Sequence, residues 1–311
     1  MYNNERVFFM LEKIYDFFGW IFHQRHAFDN LILVCRNFFA DGLAPKRMLA
    51  SIMAIIELFC AAVFKTPQPA VGPELDLTGY KRVIYDDFEG DSLNEDIWHC
   101  RGSYRERCGY TSPSQIKVEN GNLVITGEYL ENGEFGEGWY SAEVALNEWQ
   151  TYGAYYEIKC RCNPDKGFWS AFWMQSEHSY DHEISAGGVG GAEIDIFEAM
   201  GADNKLKKNQ SCVTQTVWYN GGDDNPDDLD RVALGTYYAD DIYNTYNTYG
   251  LMWTEDEYIF YVNGKETART STAVSHAPEY LLISLCIPDE LTFDHDYKTQ
   301  FLIDSVSVYR K

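Results

Sequence analysis

Three carboxylates fall within six residues in the run Gly191-Ala192-Glu193-Ile194-Asp195-Ile196-Phe197-Glu198, and the residues between them are strand formers. Because side chains alternate along a strand, Glu193 and Asp195 share one side while Ile194 and Ile196 point to a core. Glu198 is then out of step, and a regular strand would send it to the apolar side, where a lone carboxylate is costly. One extra residue, a β-bulge near Ile196 or Phe197, returns it to the face of the other two. The pattern predicts three acids aimed into one cleft.

Crowded carboxylates resist ionising together, so one stays charged while another keeps its proton near neutral pH. That division of labour suits glycosidic-bond cleavage. A retaining enzyme holds a nucleophilic carboxylate and an acid/base carboxyl roughly 5–5.5 Å apart, whereas an inverting one needs roughly 6.5–9.5 Å to admit a water. Two acids on one short strand fit the closer spacing. A calcium loop is the competing use, but it would place turn residues and glycine between its acids. Here the intervening residues are Ile, Ile and Phe.

Glu-Ile-Asp-Ile-Phe-Glu resembles the catalytic signature of glycoside hydrolase family 16, in the bulged form of laminarinases, agarases and carrageenases. Further segments support the resemblance in the family's order: Asp86-Asp87-Phe88-Glu89-Gly90, Gly167 to Met174, Tyr249 to Thr254 and Ile303 to Tyr309. It covers residues 79 to 311 and implies Glu193 as nucleophile, Asp195 as its helper and Glu198 as acid/base. It also implies an all-β, concanavalin A-like jelly-roll β-sandwich whose concave sheet forms a long cleft. Glu89, Gly90 and Asp304 match positions that hold a structural calcium in some relatives. Two positions depart from the pattern. Trp218 stands where many members have a histidine, which would turn a polar contact into a stacking platform, and Glu143 stands where an arginine is usual.

Around the acids, the β signals begin at Tyr80. Asn-Gly pairs at 120–121, 132–133, 220–221 and 263–264 are hairpin turns by type, since both positions tolerate positive φ. Trp169 and Trp173 share one face of their strand, opposite Phe168, Phe172 and Met174, and are read as cleft residues whose rings stack on sugars while their N–H groups bond hydroxyls. Trp139 and Tyr140 are read as walls of more distant subsites, Trp149 and Trp253 as core. The glycines of Gln175 to Gly191 make that segment a cleft-bordering loop, which argues against a metal at its His178-x-x-x-His182 spacing.

With 311 residues, 45% hydrophobic and 16% aromatic, the chain can bury a substantial core. A formal charge of -23 repels phosphates and argues against nucleic acid as a partner. A neutral polysaccharide is indifferent to it. Residues 1–65 differ in composition: Leu11, Ile14, Phe18 and Ile21 recur at helical spacing, and Met48 to Phe64 carries only Glu57 as a charge. This is the expected helical N-terminal region, read as a membrane contact in preference to a helical layer packed on the catalytic domain or a signal peptide starting at Met48, with an extracellular or membrane-associated location, followed by a Pro-containing linker over 66–78. Eight cysteines show no zinc spacing; Cys100 and Cys108 could bridge a loop, and Cys160 and Cys162 read as core. The whole predicts a retaining endo-glycosidase, monomeric and without an organic cofactor, acting on a β-1,3- or mixed-linked glucan. A transglycosylase, a β-galactan hydrolase for agarose, carrageenan or mucin glycans, and a non-catalytic glucan-binding protein are the alternatives.

Overall fold

The computed structural model describes residues 67–102, 104–164, 167–179, 181, 183–199, 211–220 and 230–311. The helical region expected over 1–65, and His182, lie outside them. Among the described residues the chain folds into two sheets, one of eleven strands and one of seven, paired antiparallel apart from Gly109–Thr111 with Gly136–Ser141. In space the seven-stranded sheet runs Asp230–Tyr238, Cys212–Tyr219, Glu193–Ala199, Trp169–Gln175, Tyr280–Cys286, Glu143–Leu146 and Trp98–Cys100. The acid-bearing strand is therefore flanked on both sides.

The core lies between the sheets. Phe172, Ile194, Ile196 and Phe197 on one side and Ile158, Tyr249, Phe301 and Ile303 on the other are all fully buried. Each such side chain contributes roughly 1.5–3 kcal/mol. Phe197 and Tyr249 meet at 4.1 Å between ring centroids. Cys160, Cys162 and Trp253 belong to the same core. Among the described residues all six cysteines are free, so the Cys100–Cys108 bridge does not form.

Two hairpins turn where the Asn-Gly pairs predict, with φ of 54° and 68° at Asn120 and Gly121 and 48° and 71° at Asn263 and Gly264. Gly221 of the 220–221 pair lies outside the described residues, and the pair at 132–133 does not turn. Asn132 and Gly133 still belong to the strand Asn122–Gly133, and the chain reverses at Glu134 and Phe135 before Gly136–Ser141. Gly133 serves close approach instead, because a Cβ there would lie 2.2 Å from the Tyr140 ring.

Residues 67–78, expected as a linker, run bound along the sandwich. Gln68 N–H donates to Thr236 O and Gln68 O accepts from Tyr238 N–H, both at 2.9 Å, while Leu75 N–H donates to Gly264 O at 2.8 Å. Leu75, Leu77 and Tyr80 cover a second small cluster, Tyr155, Met252 and Tyr261, on the larger sheet's outer face. No helix among the described residues is long and apolar enough to cross a membrane.

Candidate active site

The acid-bearing strand carries the bulge its sequence calls for. Opposite Cys212–Tyr219 the partners step by two residues, Thr216 to Thr214, while this strand steps by three, Asp195 to Glu198. Opposite Trp169–Gln175, Phe172 faces Phe197 and Trp173 faces Asp195, leaving Ile196 as the extra residue. Ile196 and Phe197 both enter the core. Two successive inward side chains return Glu198 to the outer face, where it joins Glu193 and Asp195 in a groove of about 320 Å³.

Each acid is held by a different neighbour. Gln175 Nε2 donates to Glu193 Oε2 at 3.2 Å, Trp218 Nε1 to Asp195 Oδ2 at 3.0 Å, and Trp169 Nε1 to Glu198 Oε1 at 3.1 Å. Burial lifts the Asp195 carboxyl well above its usual range, and the charges of Glu198 and Glu193 add to that. Burial, then the Glu193 charge, raises Glu198 to about 7, with the Trp169 hydrogen bond and Arg107 pulling the other way. At neutral pH the groove thus holds proton-bearing carboxyls beside a further acid, Glu193.

Trp169 and Trp173 lie on the groove face with Phe168, Phe172 and Met174 buried behind them. Their N–H groups are not left for a ligand, because Trp173 Nε1 donates to Ser284 Oγ at 2.9 Å and Trp169 Nε1 to Glu198. Ring faces are what they offer. Trp218 keeps a polar contact through its indole N–H, and the guanidinium of Arg231 sits 5.5 Å from its ring. Two other expectations are corrected. Trp139 and Tyr140 are buried and cannot wall a subsite: Trp139 packs edge-on to Phe168, and Tyr140 Oη donates to Gly136 O at 2.8 Å. Trp149, expected in the core, is 43% exposed. Of the residues that the resemblance links to calcium, Asp304 pairs with Lys159 at 3.1 Å, and Glu89 and Gly90 are exposed.

The groove contains residues that the sequence reading did not single out: Arg101, Tyr104, Glu106, Arg107, Gln175 and Cys286. Only Gln175 had a visible signal, the same two-residue period that aligns Trp169 and Trp173. Arg101 explains the acid at 143, for the buried Glu143 carboxyl accepts from Arg101 Nη1 at 2.8 Å and from Tyr104 Oη at 2.8 Å. Position 143 therefore anchors a guanidinium that comes from 42 residues earlier in the chain. Arg107 lies over the Trp169 ring at 4.9 Å and donates to Glu106, whose carboxyl burial raises to about 7.

Behind the groove, fully buried Glu279 accepts from Ala192 N–H at 3.2 Å, and its second oxygen has no partner. The Ala192 carbonyl accepts from Ser179 Oγ at 2.8 Å, so Ala192, the residue before Glu193, is pinned through both its N–H and its C=O. Burial raises Glu279 to about 8. Glu106, Glu198 and Glu279 all keep protons in the fold that the unfolded chain releases near pH 4.5, so the native state binds more protons above that pH. Their stabilisation is complete below about 4.5 and is lost as pH rises through about 7 for the first two and about 8 for the third. The melting temperature should accordingly fall between pH 5.5 and 8.5, by on the order of 5 °C. Glu279→Gln should flatten the upper part of that fall. A melting temperature that rises across the range would contradict these protonation states.

Residues 82–288 match the family described as Beta-porphyranase A-D, GH16 domain. Among curated proteins the chain is 28% identical over 205 residues to Endo-1,3-1,4-beta-glycanase ExsH of Rhizobium meliloti (strain 1021), covering 63% of this chain and 38% of that protein. It is also 28% identical over 238 residues to Beta-porphyranase B of Phocaeicola plebeius, covering 64% and 72%. The chain spans well under half of ExsH. In structure, an endo-beta-1,3-glucanase from Pyrococcus furiosus superimposes with a TM-score of 0.60 at 19% identity, over 77% of this chain and 98% of that one, a likeness of fold.

Proposed function

Because the chain belongs to glycoside hydrolase family 16, we propose that it is a retaining endo-glycosidase that cuts β-linked polysaccharide by double displacement. One observation carries this reading: the bulge at Ile196 gathers Glu193, Asp195 and Glu198 in a single groove. Glu198, holding a proton near neutral pH, passes it to the oxygen of the scissile bond as that bond breaks. Glu193 attacks the anomeric carbon, and the leaving sugar departs with the proton from Glu198. Glu198, now a carboxylate, takes a proton from water, whose oxygen displaces Glu193 and regenerates the enzyme. Asp195 lies between the two on the same face, its proton kept by burial, so it separates two acids without adding a third charge. The scheme calls for no organic cofactor and no metal.

A β-1,3- or mixed-linked glucan is the proposed substrate, supported by the names of ExsH and the Pyrococcus glucanase. A β-galactan is the second reading, favoured by the porphyranase description of the matched family and by Beta-porphyranase B. Incubating the protein with barley mixed-linkage β-glucan, laminarin, agarose and porphyran, then sizing the products, separates the two. Oligosaccharides of mixed length are expected, and NMR at early times should show the new reducing ends as β-anomers. First-formed α-anomers would mean inversion and would overturn the double displacement; release of single sugars alone would overturn the endo mode.

A further inference from the structure

Contacts continue past the glutamine that touches Glu193, beyond the residues that line the groove. Gln175 Oε1 accepts from Tyr280 Oη at 2.9 Å, and Tyr280 is the register partner of Gln175 on the next strand. Arg101 fixes the same tyrosine, donating from NH2 to its Oη at 2.9 Å with the guanidinium 4.8 Å from the ring centroid. Beyond it stands Trp149, in the segment that follows Glu143–Leu146, its indole edge-on to Tyr280 at 5.1 Å and 73°. Tyr280 lies two strand spacings, about 10 Å, from the strand of Glu193, and Trp149 lies farther still.

Single exposed hydrophobic side chains are ordinary and call for no explanation. What sets Trp149 apart is continuity. A run of contacts leads from Glu193 through Gln175 and Tyr280 to an indole that is 43% exposed, braced from behind by a clamped ring. Tyr280 Oη already accepts from Arg101 and donates to Gln175, so what this patch offers is ring surface. A large, flat, rigid indole loses little side-chain freedom on contact and fits the apolar C–H face of a pyranose ring.

We propose that Trp149 and Tyr280 form an outer carbohydrate subsite, filled by a pyranose unit of the bound polysaccharide that lies beyond the ring attacked by Glu193. The subsite rests on the polysaccharide reading above and adds to it a residue for binding long chains. Trp149 holds the chain and takes no part in bond cleavage.

The test uses full-length protein carrying Glu193→Gln, run in native gels containing barley mixed-linkage β-glucan, laminarin, agarose or porphyran. At least one polymer should retard it. Adding Trp149→Ala should weaken retention in that gel about tenfold, equivalent to roughly 1.4 kcal/mol, and Trp149→Phe should keep most of it. Equal melting temperatures show that the exposed substitution leaves the fold intact. If Trp149→Ala is retarded as strongly as its parent, there is no outer subsite and the polysaccharide reading stands. If no polymer retards the parent, the polysaccharide reading fails and the subsite with it.

Discussion

Glu193→Gln should lower kcat on the polysaccharide that the wild type cleaves by at least about 10⁴-fold, roughly 5 kcal/mol of barrier, while chain binding survives. The amide keeps the size of the carboxylate, and its carbonyl oxygen can still accept from Gln175 Nε2, which donates to Glu193 Oε2 at 3.2 Å. What it loses is the charge that, in the proposed double displacement, attacks the anomeric carbon. A smaller variant makes the role explicit. In Glu193→Gly, added azide should enter the vacated space, restore part of the rate and leave an α-glycosyl azide, because one displacement inverts where two retain. Hydrolysis by Glu193→Gln at near wild-type rate would remove Glu193 from the nucleophile role. A β-configured azide product would remove it equally.

Glu198→Gln should act through the leaving group. On polysaccharide, where the departing sugar needs a proton, a loss of about 10²–10⁴-fold is expected. On an aryl glycoside with a strongly acidic phenol the loss in the first step should be much smaller. The pH dependence has a definite sign. Burial and the Glu193 charge raise the Glu198 carboxyl to about 7, so the proton it must donate is present below that pH and absent above it. Wild-type kcat/KM on polysaccharide should fall as pH rises through about 7, and Glu198→Gln should lack that fall. An equal loss on all leaving groups, with the alkaline fall retained, would count against the acid role.

The two predictions depend on different parts of the same bulge, and the bulge shows what kind of information the chain carries locally. Glu193, Asp195 and Glu198 cannot share a face on a regular strand, and Ile196-Phe197 supplies two adjacent apolar side chains that gain by entering a core. That conflict has one cheap solution, an extra residue at Ile196, and it is visible in eight residues of sequence. The same two-residue period placed Trp169 and Trp173 on the groove face, and positive φ at Asn120-Gly121 and Asn263-Gly264 follows from residue type.

Where several positions satisfy the local rule, neighbours decide. Asn132-Gly133 has the turn chemistry of the other pairs, yet the chain turns two residues later because Gly133 is where the Tyr140 ring comes closest. Trp139, Tyr140 and Trp149 are all aromatics near glycine or loops, and nothing in composition says that the first two are buried under Phe168 and Gly136 while the third stands in water.

By itself, then, the sequence determined what alternation and backbone preference can encode within a few residues: β structure from Tyr80 onward, a kinked strand, three acids on one side of it. Only the tertiary structure decided which donors reach those acids and what else enters the groove. Arg101 meets Glu143 across 42 residues and Tyr280 across 179, and Glu279 reaches Ala192 across 87. Such pairs are set by strand order and register across two sheets, and neither leaves a period in the sequence to be read.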